Sequence, residues 1–310
     1  MSNRLRIATR RSKLALWQAE HVAARLRELH PQLAVELVPI ITQGDRILDR
    51  PLAQIGGKGL FIKELELAIG QGEADIAVHS MKDVPAEIPP DMMLGAFLPR
   101  ADARDALVSN RYGSFSQLPA GARVGTSSLR RQCQLKHLNG AIATIDVRGN
   151  VDTRLRKLDD GEFDAIVLAS AGLIRLGLAD RITEYLDPAL CLPAVGQGII
   201  GIECRRDDLP SQQRIAVLTD REAQICIAAE RAFAHALEGN CQSPLGAYAV
   251  LEGSSVILRG MVASSDTFLV QRDQMSAPAE SAQALGSQLA RRMLAAGAGE
   301  LLGRSGNAAS

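Results

Sequence analysis

The groups best able to do chemistry in this chain sit where short apolar runs end. Reading only those positions gives Arg10 and Arg11, Lys82 and Asp83, Arg130 and Arg131, Arg148, and Arg175. Arg154 and Arg156 follow one turn into a predicted helix, and Ser12, Thr126, Ser127, Ser128 and Asn150 add neutral donors. In open α/β sheets ligands bind beyond the carboxyl ends of the strands, and helix starts offer free N–H groups and a dipole that favours an anion. A single arginine at a loop start is ordinarily a solvated side chain; basic residues at five successive strand ends make a lining. Arginine forks onto carboxylates and phosphates in bidentate fashion, so this lining suits a ligand carrying many such groups. Asp83 is the exception among the cations. Positive neighbours keep a carboxylate ionised, so it can hold an N–H donor or a cation and pass a proton; a helix cap or an ion pair near Lys82 explains its position equally well.

Cys241 is the second candidate. It lies in Leu237-Glu238-Gly239-Asn240-Cys241-Gln242-Ser243-Pro244, between a predicted helix over 221–237 and predicted strands over 247–251 and 255–261. Most cysteines behave as small buried hydrophobes, and Cys133, Cys191, Cys204 and Cys226 are read that way. Cys241 instead falls on a tight polar loop from which a side chain can face a cleft. Gly239 and Asn240 are expected to close the helix in the left-handed conformation. His79 is read as a packed strand residue. Gly56-Gly57-Lys58-Gly59 is not a phosphate-binding P-loop, because Lys58 is followed by glycine and the run follows a polar loop rather than a strand.

The elements that must position these groups alternate. Strands are predicted over 5–8, 34–41, 75–79 and 94–98, with helices to about Leu29 and over 61–69, and a polar stretch over 42–59 that reads as a lid or a disordered loop. Residues 99–105 form a polar crossover. Strands over 123–124, 144–147 and 165–168 repeat the pattern, each running into a Gly, Ser or Asn turn and a helix. The alternation predicts parallel sheets. A strand over 199–203 can rejoin the first sheet after the glycine-rich 193–198 return. The division expected is 1–99 plus 199–218, 100–198, and a smaller α+β unit over 219–310 that ends on a helix over 282–294.

Lys plus Arg and Asp plus Glu are both 35, so the net charge is zero. That argues against a nucleic-acid or membrane-surface binder, which needs a basic excess. No apolar run is long enough to span a membrane, and residues 1–11 lack a signal-peptide core. Five cysteines without C-x-x-C spacing argue against a disulfide scaffold and a zinc site. A cytoplasmic protein is expected. Aromatic residues are few, with one tryptophan, Trp17.

Seven segments together resemble the porphobilinogen deaminase (hydroxymethylbilane synthase) family across nearly the whole chain. They are Ile7-Ala8-Thr9-Arg10-Arg11-Ser12, Gly56-Gly57-Lys58-Gly59, His79-Ser80-Met81-Lys82-Asp83-Val84-Pro85, Gly125-Thr126-Ser127-Ser128-Leu129-Arg130-Arg131-Gln132, Arg148-Gly149-Asn150, Pro193-Ala194-Val195-Gly196-Gln197-Gly198 and Cys241-Gln242. The resemblance implies two periplasmic-binding-protein-like α/β domains with a cleft between them, plus a smaller α+β C-terminal domain. It implies a transferase that joins four porphobilinogen molecules head to tail, releasing ammonia at each step, and frees hydroxymethylbilane by hydrolysis.

A dipyrromethane cofactor, made from substrate, would be attached by a thioether to Cys241, which is then an anchor. Lys82, Ser128, Arg130, Arg131, Arg148 and Gly149 match cofactor-binding positions. Arg10, Ser12, Arg154 and Arg175 match substrate-binding ones, and Lys58 and Phe61 match the mobile loop over the cleft. Asp83 matches the key acid, which contacts pyrrole N–H groups, helps ammonia leave and stabilises the azafulvenium cation. The family also implies a monomer. Gln54 stands where relatives carry lysine, and Asn240 where glycine is common. The rival reading is a non-catalytic periplasmic-binding-type anion binder or sensor, which Asp83 within the cationic lining and the Cys241 loop oppose.

Overall fold

The computed structural model describes residues 3–46, 59, 62–239 and 243–303. Cys241, Asn240, Gln54, Lys58, Phe61 and the Gly56-Gly57 pair lie outside the described residues, as does most of the expected lid.

Strand β1 (Arg4–Arg10) sets the first sheet. Its alternation puts Leu5 and Ile7 on one face and Ala8 on the other, and each face feeds its own core. Leu5 and Ile7 pack with Ala19, Val22 and Leu26 of the helix Lys13–Leu29, while Ala8 packs with Leu65 and Ile69 of the helix Lys63–Gly70. A sheet covered on both faces explains why its strands read as apolar runs. Beside β1 lie β2 (Ala34–Ile40), β3 (Ile76–Ser80), β4 (Met92–Phe97) and β10 (Ile200–Arg205), in the order β2-β1-β3-β10-β4. The late strand does rejoin the first sheet.

The second sheet runs β7 (Ala143–Ile145), β6 (Arg123–Gly125), β8 (Ala165–Ala169), β5 (Asp105–Val108), β9 (Glu184–Leu186). It too is buried on both faces: Leu107, Val124 and Val167 meet Leu135, whereas Ala106, Val108 and Ile166 meet Leu155, Leu158 and Leu173.

Neither sheet is wholly parallel, which corrects the expectation from alternation. In the first, β10 is antiparallel to both β3 and β4; in the second, β5 is antiparallel to both β8 and β9. Each odd strand is the one that arrives from the other lobe. It enters its sheet at the end where its neighbours finish, so it must run against them. The carboxyl ends of the parallel strands and both interlobe connections therefore gather on one edge of each sheet, at a common cleft.

The third unit is an antiparallel sheet, β11 (Leu245–Glu252), β12 (Ser255–Ala263) and β13 (Val270–Pro278), packed on the helices Arg221–Ala236 and Ala282–Ala295. Phe233, Leu258, Leu285, Leu289 and Met293 meet in its core. β13 was not foreseen: its residues alternate between half-buried and exposed, without a buried apolar stripe to mark it.

Candidate functional site

Ser12 ends the β1 exit by capping the next helix, its Oγ accepting the Ala15 N–H at 3.3 Å. At the β3 exit the chain tightens into a 3-10 turn, Met81–Asp83. Gln18 Nε2 donates to Ser80 Oγ at 2.7 Å and ties this exit to the first helix. Arg10, Ser12, Ser80 and Asp83 line one hollow; Ser80, Lys82, Arg175 and Gln197 line its neighbour. Arg10, Ser12, Lys82, Asp83 and Arg175 thus converge. Among the described residues Asp83 makes no hydrogen bond or bonded ion pair, so neither a helix cap nor a salt bridge consumes it. Its charge is felt by Lys82 and Arg154.

The opposite wall rests on a residue the sequence hid. Asp105, at the start of β5, is fully buried and receives Arg130 Nη1 at 2.7 Å and Arg131 Nη2 at 2.7 Å. Gln197 Nε2 donates to it at 2.9 Å and Cys191 Sγ at 3.3 Å. Burial alone would raise its carboxyl, but the two guanidinium charges and their hydrogen bonds hold it well below the usual carboxylate range. Arg130 and Arg131 are only 4% and 6% exposed, and further donors go to Leu192 O and Val167 O. The expectation that both line the cleft is corrected to this extent: Arg130 is an internal strut, and Arg131 sits beneath the surface, close enough to depress Lys82 and Arg154 electrostatically. A polar crossover gives no hint of a buried Asp. The available signal was Asp105 heading the apolar run Ala106-Leu107-Val108.

Thr126 and Ser127 also prove structural. Thr126 is buried, and Ser127 Oγ donates to Val147 O at 2.7 Å, fastening the β6 turn to the β7 exit. Ser128 stands at the start of the helix Leu129–Leu138 with no side-chain cap bond. Gly149 has φ +108, and a Cβ there would press on Thr153 Cγ2 at 2.7 Å; only glycine makes this turn without strain. Its carbonyl accepts Arg154 Nε at 2.8 Å, and Asn150 Oδ1 caps the helix Val151–Asp159 through Thr153 N–H at 2.9 Å. The Arg148-Gly149-Asn150 turn therefore aims Arg154. Arg148 is half-buried beside it, while Arg11 and Arg156 are exposed.

Crowding marks the cleft electrically. Burial first, then the charges of Arg131 and Arg154, push the Lys82 ammonium down to about 8 against the opposing pull of Asp83. Burial, Arg131 and Arg148 push Arg154 down to about 10. Arg175 is also lowered to about 10, by burial alone, and Nη2 donates to Gly198 O at 2.7 Å. That carbonyl also accepts the Ala101 N–H at 3.1 Å, so Arg175 touches the point where the two interlobe connections meet.

His79 is packed, as expected, but with a partner: its Nε2 is 2.9 Å from Oε2 of the buried Glu203 on β10. Glu230 similarly gathers Arg100 Nη2 at 2.6 Å, Gly196 N–H at 2.7 Å and Ala249 N–H at 2.8 Å, joining both connections to the third unit. Cys133, Cys191, Cys204 and Cys226 are buried, with thiols pushed up to about 11, 12, 11 and 12 by burial. Before the Cys241 loop, the left-handed residue among the described ones is Glu238 (φ 46) rather than Gly239, and Asn240 lies outside them. Gly239 serves close approach instead, since a Cβ there would collide with Leu245 Cδ2. Cys241, Lys58 and Phe61 fall outside the described residues. Among the described residues there is no cluster of His, Cys, Asp or Glu able to hold a metal, and no helix is long and apolar enough to cross a membrane.

Solved structures similar to the chain include the methionine-binding protein MetQ (15% identity, TM-score 0.43, 70% of this chain and 89% of that one). Others are the periplasmic VFT2 domain of Bordetella pertussis BvgS (15%, 0.41, 70% and 86%) and the aliphatic sulphonate binding protein SsuA of Escherichia coli (14%, 0.39, 77% and 71%). Two family models match the sequence: "Porphobilinogen deaminase, dipyromethane cofactor binding domain" over residues 5–213, and "Porphobilinogen deaminase, C-terminal domain" over residues 224–295. With nearly its whole length so matched, the chain belongs to the porphobilinogen deaminase family of tetrapyrrole-biosynthesis transferases.

Proposed function

We propose that this protein condenses four porphobilinogen molecules head to tail on a dipyrromethane primer held by Cys241, releases ammonia at each step, and frees hydroxymethylbilane by hydrolysis. The observation that carries the reading is a cleft of crowded cations around a carboxylate with no bonded partner among the described residues. A primer bearing an acetate and a propionate on each ring fits this donor set, because its carboxylates offset the burial, and after it the repulsion, that depress Lys82 and Arg154. Lys82, Ser128, Arg148 and the Gly149 turn would hold those carboxylates, with Arg131 adding field from below. When bound, the primer supplies the attacking pyrrole carbon. The four described cysteines are buried thiols raised out of the reactive range, which favours Cys241 as the anchor.

Asp83 has the chemistry for both tasks the reaction sets. As a carboxylate it accepts pyrrole N–H bonds and stabilises positive charge developing on the substrate; by passing a proton it lets nitrogen depart as ammonia rather than as an amide ion. Arg10, Ser12, Arg154 and Arg175 are placed to orient the incoming substrate's carboxylates. The division at 99/100, 198/199 and 218/219, a monomeric state and a cytoplasmic location belong to the same reading. Incubation with porphobilinogen tests it directly: ammonia and a linear tetrapyrrole should appear in a ratio of four to one. Porphobilinogen recovered unchanged from a preparation carrying the primer would favour a simple anion binder.

A further inference from the structure

Arg175 stands apart from the other cations of the cleft. Burial lowers it, and among the described residues no acidic neighbour stabilises it and its one hydrogen bond goes to Gly198 O at 2.7 Å. An arginine side chain with so little to hold it has several rotatable bonds and loses binding energy to disorder. One further contact fixes it. Its Cζ lies 5.7 Å from the centroid of the Trp17 ring, which is itself stacked on His21 at 5.1 Å with an interplanar angle of 6°. Trp17 and His21 are four residues apart on the helix Lys13–Leu29 and share one of its faces. Arg175 ends the helix Ser170–Arg175 of the other lobe, so this contact spans the cleft.

We propose that Trp17 is a positioning residue: its stacked indole face holds the Arg175 guanidinium toward the cleft, ready for a carboxylate of the incoming substrate. Burial, Arg175 and Arg25 each lower the His21 imidazole, against the pull of Glu28, which disfavours a competing cation in the stack. A cation over an aromatic face is held more strongly as water is excluded, which is the situation at this half-buried arginine. The proposal rests on the porphobilinogen reading for the identity of the ligand, but not for the contact itself.

Two measurements test it. Steady-state kinetics on porphobilinogen should place the effect of Trp17→Leu on KM, raised about three- to tenfold, with kcat changed less than about twofold. Trp17→Phe, which keeps an aromatic face, should recover most of the loss. Equal losses in the two variants would point to packing, and a KM for Trp17→Leu within about twofold of the unaltered protein would remove the role; either overturns the proposal. Trp17 is the only tryptophan, so its fluorescence reports the contact without turnover. Arg175→Gln should change its emission intensity or maximum in the resting protein, and an unchanged spectrum would contradict the contact. A protein that does not consume porphobilinogen sinks the functional reading, while the fluorescence comparison still decides the Trp17–Arg175 contact.

Discussion

Asp105 and Arg130 form a buried, forked ion pair, with Nη1 on Oδ2 at 2.7 Å and Nη2 on Oδ1 at 3.3 Å, beneath the wall of a cationic cleft. Arg131 shares the same carboxylate. Two adjacent arginines at one helix start would repel each other and splay; one buried acid reconciles them and leaves a net positive charge behind the cleft surface. Removing that acid strands two buried cations. Asp105→Asn should therefore destabilise the fold by about 3–5 kcal/mol, read as a lowered midpoint in urea unfolding. The pH dependence has a definite sign. The folded-state value of Asp105 is depressed, so its stabilisation is present above the unfolded value of about 4 and lost as pH falls through the folded one. Acid unfolding of Asp105→Asn should lack this contribution.

Lys82 should set an alkaline limb on ligand binding. Its ammonium, lowered to about 8, is charged at pH 7 and increasingly neutral above pH 8. A bound carboxylate favours the charged form, so binding takes up a proton and weakens as pH rises through about 8. Loading of the primer onto the primer-free protein should slow there. Lys82→Arg should move the fall to higher pH, and Lys82→Met should load slowly at every pH without this limb. An identical alkaline limb in all three would assign it elsewhere. In the resting fold the same depression costs stability below about pH 8, and that cost vanishes as pH approaches the unfolded value of 10.5.

The turn at Gly149 should tolerate no side chain. With φ +108 and Thr153 in the path of a Cβ, Gly149→Ala should cost about 1–2 kcal/mol in thermal or urea unfolding. Thr153→Ser, which removes the blocking methyl, should relieve part of the loss but not the backbone strain. A fully stable Gly149→Ala would mean that the turn adopts another conformation.

Asp83→Asn should lower kcat by about 10²- to 10⁴-fold, the range of a lost acid–base group. Because Asp83 is bonded to no described residue, the unfolding midpoint should barely move. Near-normal turnover would end its assignment as the acid.

Much of this architecture could be read from the chain because apolar runs end in Gly, Ser or Asn punctuation that marks both strand exits and helix starts. The placement of Arg10, Ser12, Lys82, Asp83 and Arg175 followed from that grammar. What escaped depends on distant partners. Asp105 looks like loop polarity until Arg130, 25 residues later, turns inward to meet it. The direction of β10 is set by the lobe it returns from, not by its own residues. His79 gains its partner from Glu203, 124 residues away. Trp17 carries no motif at all, and its contact appears only once the two lobes face each other.

Intact mass spectrometry of the purified protein beside Cys241→Ser tests the central claim most directly. The account predicts extra mass equal to two linked pyrrole units on the unaltered chain, and none on the variant. A bare polypeptide mass that stays bare after incubation with porphobilinogen, or the same adduct on both proteins, would contradict it.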